Sequence, residues 1–328
     1  MSRRARIVET GHCLPEKVVT NFDLEKIVDT SDEWITTRSG IRSRHIARKD
    51  EPLSDLAVTA ARQALETSGI PLDKLDLIIL ATVTQEQLFP ATACMIQHKL
   101  GVKNAAAMDI QAGCTGFIYA LSIADQFIRS GKYDNALVIG GEVLSRYVNW
   151  KDRNTCVLFA DGAGAVVLRA EEGERGVLET GLYADGSMYD LLSMPGGGSN
   201  APANRKEEFD PDLFHIHMKG NETFKIAVRS LTDVSFEVLS RHGLNPTEVD
   251  WLFFHQANVR IIQAVADRLG IDNSKAYINI DHVGNTSAGS IPIALDEANK
   301  KGLIKPGELM LMSAFGAGLT WGAALVRW

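Results

Sequence analysis

No stretch of this chain stays apolar long enough to cross a bilayer. The longest near-apolar run, Leu75 to Val83, still carries Asp76, and a spanning helix needs about 20 such residues. The opening Met1-Ser2-Arg3-Arg4 reaches Glu9 without the apolar centre of a secretory leader. Cysteine is scarce. Cys13, Cys94, Cys114 and Cys156 are scattered, with no CxxC pair, which argues against a structural zinc site or a disulfide framework and for a reducing cytoplasm. An excess of basic charge is missing too. Thirty-four Lys and Arg against 41 Asp and Glu give −7, so a general nucleic-acid-binding protein is excluded on electrostatic grounds. What is present is ordinary globular material: 328 residues, 45% hydrophobic and 23% charged, about two domains' worth of chain.

The chain also repeats itself. Sliding by 174 positions aligns Gly69 with Gly243, Asp76 with Asp250 and Leu80 with Phe254. Each copy reads as an amphipathic helix, a turn holding Gly and Pro, and a short apolar strand. Leu100-Gly101 pairs with Leu269-Gly270, the strand at 107–111 with one at 276–280, and Gly164–Arg169 with Gly322–Arg327. Buried strands alternating with helices predict α/β architecture with mostly parallel sheets covered on both faces. The expectation is two pseudo-symmetric βαβαβ-type halves, 1–172 and 173–328, joined near Glu171–Gly176. A long excursion, Ser187 to His217, contains Pro195-Gly196-Gly197-Gly198 and the charged stretch Arg205 to Asp212. Such a loop is expected on the surface near an opening.

Three constellations carry chemistry. Cys114 lies between the strand at 107–111 and a segment placing Phe117, Leu121, Ala124 and Ile128 at helical spacing. A thiol at a helix N-terminus meets unpaired N–H groups that favour the thiolate. The equivalent turn of the second copy is Gly284-Asn285-Thr286-Ser287, so a cysteine and an asparagine amide would face each other across the pseudo-twofold axis. His255 opens His-Gln-Ala-Asn directly after the apolar strand Trp251–Phe254, where open α/β sheets place ligands. Phe315-Gly-Ala-Gly-Leu-Thr-Trp-Gly322 predicts a tight turn whose N–H groups could form an oxyanion hole, and it lacks the spacing of a phosphate loop. Taken singly, a small buried cysteine and a hydrogen-bonded core histidine are the plainer alternatives.

Together, Cys114 in AGCTGF, His255 in HQAN, Asn285 in GNTS and the terminal FGAGLTWGAALVRW resemble the β-ketoacyl-acyl carrier protein synthase III family. The likeness runs over nearly the whole chain, including TNFDLEKIVDTSDEWITTRSGIRSRHIA and DGAGAVVL. It implies a thiolase-like fold in a layered αβαβα arrangement. The implied reaction is the decarboxylative condensation of a short acyl-CoA, acetyl-CoA foremost, with malonyl-acyl carrier protein, initiating fatty-acid synthesis in the cytoplasm. The resemblance makes Cys114 the acylated nucleophile, His255 and Asn285 donors to the malonyl thioester oxygen, and the N–H groups of Cys114 and Ala317 the oxyanion hole. It implies no metal and no cofactor beyond the CoA thioester substrate.

By the same resemblance, Trp34 and Arg153 sandwich the adenine of CoA, with Thr30 and Arg38 near the nucleotide. Gly220, Phe224, Ala257 and Asn258 line the pantetheine tunnel. Asn154 stands where relatives often have glycine, which leaves the adenine pocket less defined. Lys225, Gln256 and Arg260 would meet the acidic carrier protein. Phe89, donated by the partner of a homodimer, would line the acyl pocket with Leu144, Phe159 and Leu191. Two other readings stay open on the sequence: a homologous condensing enzyme of quinolone or polyketide type, and a cysteine thioesterase.

Overall fold

The computed structural model describes residues 2–203 and 210–328; the part of the charged stretch at 204–209 lies outside the described residues. Two sheets carry the chain. The first runs in the order β1 (Arg3–Cys13), β7 (Asp161–Glu172), β6 (Asn135–Val143), β4 (Leu77–Ala81), β5 (Ala106–Ile110). β4 is parallel to both β6 and β5, whereas β7 is antiparallel to β6 and β1. The second runs β8 (Gly176–Ala184), β13 (Thr320–Arg327), β12 (Leu309–Gly316), β11 (Trp251–Phe254). Its directions repeat those of the first: β11 is parallel to β12, and β13 is antiparallel to β12 and β8.

Where β5 stands in the first sheet, the second has only a parallel bridge between Leu252 and Ala276. The strand expected at 276–280 is thus reduced to one residue pair. Asn279 N–H is taken by the Gln256 side chain (3.2 Å) and the chain turns into helix α8 (Ile280–Val283). Two short ribbons complete the strands: β2 (Val18–Thr20) with β3 (Ser43–His45), and β9 (Leu192–Ser193) with β10 (His217–Met218).

Side-chain alternation sets the layers, because successive strand residues face opposite ways. Leu77, Ile79 and Ala81 of β4 join the central core while Ile78 and Leu80 join the outer one. Met310 and Met312 of β12 likewise point to the centre, and Leu309 and Leu311 outward. Helices α3 (Leu53–Ser68) and α4 (Thr92–Leu100) cover the outside of the first sheet, α6 (Gly220–Ser240) and α7 (Val259–Leu269) the outside of the second. Between the sheets lie α5 (Gly116–Arg129) and α9 (Ser290–Lys300). The result is five layers, αβαβα. A cap made by α1 (Asn21–Leu24), α2 (Asp32–Ser39) and residues 144–159 sits over one end.

The sandwiched helices must be apolar almost all round. In α5, Phe117, Leu121, Ala124 and Ile128 are buried, as the spacing predicts. In α9 the most deeply buried charge is Asp296, held by Thr10 Oγ1 (2.6 Å), His12 Nδ1 (2.5 Å) and Lys300 Nζ (2.8 Å). The turn before α9 is seated on the first sheet, where a Cβ on Gly140 of β6 would lie 2.1 Å from the Ala288 carbonyl oxygen. A Cβ on Gly116, at the start of α5, would meet the Ala288 side chain at 3.4 Å, so the starts of the two helices lie against each other. Among the described residues no helix is long and apolar enough to cross a membrane, and no cluster of three His, Cys, Asp or Glu is arranged to hold a metal ion.

Candidate active site

Cys114 is the middle residue of a 3-10 turn, Gly113–Thr115, wedged between β5 and α5. Gly113 takes φ +53°, a value that favours glycine, and a Cβ there would meet Ala317 N at 2.7 Å. The facing residue is as constrained: a Cβ on Gly316 would fall 2.4 Å from Cys114 N. The β12–β13 turn is therefore laid backbone to backbone on the cysteine turn. Thr320 fastens it, donating to Ala112 O (2.8 Å) and accepting from Thr115 Oγ1 at its own carbonyl (3.1 Å). Ala317, Cys114 and Ser287 then line one cavity of about 360 Å³.

The segment 285–290 joins the three expected reactive groups. The Ser287 hydroxyl donates to the Cys114 sulfur. Ser287 itself is held at φ +50°, the one non-glycine left-handed residue among those described, a conformation that persists where surrounding structure enforces it. Ser287 N–H donates to Asn285 Oδ1 (2.9 Å), which fixes the planar amide and orients its Nδ2 as a donor. The Asn285 backbone is clamped as well, donating to Leu158 O (3.0 Å) and accepting from Ala160 N–H (2.8 Å). Ser290 Oγ reaches His255 Nδ1 (2.7 Å). His255 closes β11, its N–H bound to Ser313 O (2.9 Å). All three side chains are buried.

Burial dominates their protonation. It pushes the Cys114 thiol up to about 11, against the hydrogen bond from Ser287. The helix N-terminus does not make a standing thiolate, as the sequence had implied, because a desolvated anion costs more than the turn's donors return. Burial holds the His255 imidazolium down to about 3, so the ring is neutral.

The expected acyl-pocket residues divide. Leu144 and Phe159 line the cavity beside Cys114. Leu191 is buried and turned away, its carbonyl accepting Lys219 N–H (2.9 Å), and its neighbour Leu192 lines the wall instead. Phe89 does not reach the cavity of its own chain; it is 83% exposed beside Leu88 at 76%. Tyr147, Met194 and Ile216 line the wall unforeseen. The last two belong to the excursion from Ser187 to His217, whose position near an opening its length had signalled.

A second cavity of about 230 Å³ is lined by Trp34, Arg38, Arg153, Asn154, Gly220 and Asn258, among others. Here the arrangement differs from the expected open sandwich. Arg153 rests on the Trp34 ring at 5.1 Å and Arg38 on it at 4.7 Å, a cation–π arrangement. Arg153 also donates to Asp29 O (3.0 Å). Thr30, Phe224 and Ala257 do not line this cavity. Thr30 Oγ1 is nonetheless buried without a hydrogen-bond partner, and Phe224 packs under Arg260 at 5.7 Å. Asn258 caps α7 through Arg260 N–H (2.9 Å) and donates to Arg38 O (2.7 Å), tying the two elements.

Lys225 and Arg260 are exposed on α6 and α7. Gln256 is a correction. It is fully buried, donating to Phe254 O (2.9 Å) and Tyr277 O (3.1 Å) and accepting from Asn279 N–H. Every polar atom of its side chain is committed to backbone, so it cannot meet a carrier protein.

Comparison with known proteins places this geometry. Family models described as 3-oxoacyl-(acyl-carrier-protein) synthase III and its C-terminal part match residues 108–186 and 239–328. A β-ketoacyl-(acyl-carrier-protein) synthase III of Caldanaerobacter subterraneus is 55% identical over 324 residues, covering 99% of this chain and 98% of that one. The crystal structure of the 3-oxoacyl-(acyl-carrier-protein) synthase III of Aquifex aeolicus superposes with a TM-score of 0.92 at 52% identity, covering 99% and 100%. A priming β-ketosynthase of a polyketide pathway gives 0.93 at 33% identity, covering 99% and 97%.

Proposed function

The chain belongs to the β-ketoacyl-acyl carrier protein synthase III family, an acyltransferase initiating fatty-acid synthesis by condensation, and from that premise we propose which substrates and residues carry the reaction. The donor is a short acyl-CoA, acetyl-CoA first, and the acceptor malonyl-acyl carrier protein. Cys114 attacks the donor thioester. A C–S bond forms to the enzyme, the bond to CoA breaks, and the cysteine proton leaves with the CoA sulfur. Malonyl thioester then loses carbon dioxide. Asn285 Nδ2 and His255 donate to its carbonyl oxygen as enolate character develops. The enolate carbon attacks the acyl-enzyme carbonyl, the Cys114 C–S bond breaks, and 3-oxoacyl-carrier protein leaves. The N–H groups of Cys114 and Ala317 hold the tetrahedral oxyanion.

The observation carrying this reading is the segment 285–290, which bonds Cys114, orients the Asn285 amide and touches His255. For CoA, Arg153 lifts from Trp34 to admit the adenine between them, and Thr30 gives its unpartnered hydroxyl to the nucleotide. Phe224, Ala257, Asn258 and Gly220 border the pantetheine path. Lys225 and Arg260 meet the acidic carrier protein at short range, since the net charge of −7 offers no long-range attraction. No cofactor is required beyond the thioester. The cytoplasm supplies both substrates.

A homodimer completes the site. β5 is an edge strand, half-exposed throughout and carrying Met108 and Ile110, and a flat apolar edge is a pairing surface. The exposed Phe89 would enter the partner's acyl pocket. Residues 1–172 and 173–328 act as the duplicated halves, one bringing the nucleophile and the other the two donors.

The experiment is radiolabelled acetyl-CoA alone, then with malonyl-acyl carrier protein, beside Cys114→Ala. Label on the wild type only, passing to acetoacetyl-carrier protein when the malonyl substrate arrives, is expected. Loading by octanoyl-CoA in place of acetyl-CoA would move the enzyme to a specialised condensation, and free acetate would indicate thioester hydrolysis.

A further inference from the structure

We propose that Ser290 is a positioning residue that holds His255 as its Nε2–H tautomer, making the imidazole a fixed hydrogen-bond donor and not a base. The inference rests on the reading above, in which His255 acts on the malonyl thioester. A neutral imidazole has one N–H, and the partner of one ring nitrogen decides which nitrogen carries it. His255 is neutral because its burial disfavours the cation.

Ser290 opens α9 and is 1% exposed. Its Oγ lies 2.7 Å from His255 Nδ1 and also accepts Gln256 N–H at 3.3 Å. Among the described residues its hydroxyl makes no other hydrogen bond. The Gln256 N–H already points at the oxygen, so the hydroxyl proton needs an acceptor, and Nδ1 is the atom within reach. The reverse assignment would aim two N–H donors at one oxygen and strand a buried hydroxyl proton. Nδ1 therefore accepts, and Nε2 bears the hydrogen.

The aim of the Gln256 N–H is itself fixed. The Gln256 side chain is bound to Phe254 O and Tyr277 O, which holds the backbone just after His255. Ser290 follows Asn285 by five residues on the same segment, whose Ser287 N–H fixes the Asn285 amide. One piece of backbone thus sets both donors toward one oxygen, a preorganised arrangement of the kind that lowers a barrier to enolate formation.

The test begins without any variant. In wild-type protein labelled with 15N-histidine, the ring nitrogens of His255 should report a protonated Nε2 and an unprotonated, hydrogen-bonded Nδ1. A protonated Nδ1 overturns the proposal. In Ser290→Ala that signature should blur into a mixture. Malonyl decarboxylation should fall on the order of 10- to 100-fold, far more than acetyl loading of Cys114, with the KM for malonyl-carrier protein little changed. Ser290→Thr keeps the hydroxyl and should recover most of the rate. Decarboxylation at the wild-type rate in Ser290→Ala, or equal loss of loading and decarboxylation, also overturns it. Failure of acetyl to load the wild type would instead remove the proposed function, and the tautomer measurement would still stand.

Discussion

Desolvation and hydrogen bonding act on Cys114 in opposite directions, and desolvation is the larger effect. The thiol is protonated at rest, so acyl loading draws on a small thiolate fraction. The loading rate is expected to rise about tenfold per pH unit from pH 6 to 9, following that fraction toward its midpoint of about 11. His255 contributes no break near its ordinary value, because it stays neutral at every pH above about 3. Decarboxylation measured separately should therefore lack an acid limb from imidazole protonation across the same range. A second residue-scale prediction concerns Gly316. A Cβ there would fall 2.4 Å from Cys114 N, closer than any real Cβ contact. Gly316→Ala should push the oxyanion donors apart and slow condensation by about 100-fold, checked by steady-state rates beside a thermal melt that shows the fold retained.

At the scale of elements, Glu142 near the end of β6 ties down the residues that follow β4. Its carboxylate accepts from Val83 N–H (3.1 Å) and from the hydroxyls of Thr82 (3.0 Å) and Thr84 (2.6 Å). Val83 and Thr84 line the main cavity, so this buried acid shapes its wall. Burial raises the Glu142 carboxyl to about 7, from an ordinary 4.5. The folded state thus holds a proton that the unfolded chain has released. Its stabilisation is complete below pH 4.5 and is lost as pH rises through 7, on the order of 3 kcal/mol in all. Glu142→Gln should remove that component, which melts of both proteins between pH 5 and 8 will show. Asp296 is the matching case in the central layer. Asp296→Ala would leave Thr10 and His12 without their shared acceptor, while the half-exposed Lys300 keeps Gln63, and should cost about 1–3 kcal/mol by chemical denaturation.

For the whole molecule, the edge strand β5 and the exposed Leu88 and Phe89 predict a particle of twice 35.8 kDa by sedimentation. Phe89→Ala should shift the acyl-CoA preference toward longer chains by about 10-fold, since one hydrophobic contact is worth about 1–3 kcal/mol. An unchanged preference would show that Phe89 does not bound the pocket. The α/β alternation and the internal repeat were legible in the sequence because both are periodic: β4 is apolar at every position and α5 at helical spacing. The second copy's strand at 276–280 was not. Its bonding is diverted by Gln256, a residue distant in sequence from the strand it shortens.

Motif and spacing determined the α/β fold class and the candidacy of Cys114, His255, Asn285 and the Phe315–Gly322 turn, and the family resemblance they carry singled out Ala317 within that turn. These depend on residue type and local order, which the chain states directly. Tertiary structure decided what each group's surroundings do to it: Gln256 committed inside, Arg153 lying on Trp34, Leu192 in place of Leu191, and the thiol raised where a helix terminus alone would have lowered it. The same holds for Ser287 and Ser290, unremarkable serines in the sequence that meet Cys114 and His255 only because α5 and α9 start against each other between the two sheets. Desolvation and hydrogen-bond partnership are set by residues far apart along the chain, and folding is what brings them within reach.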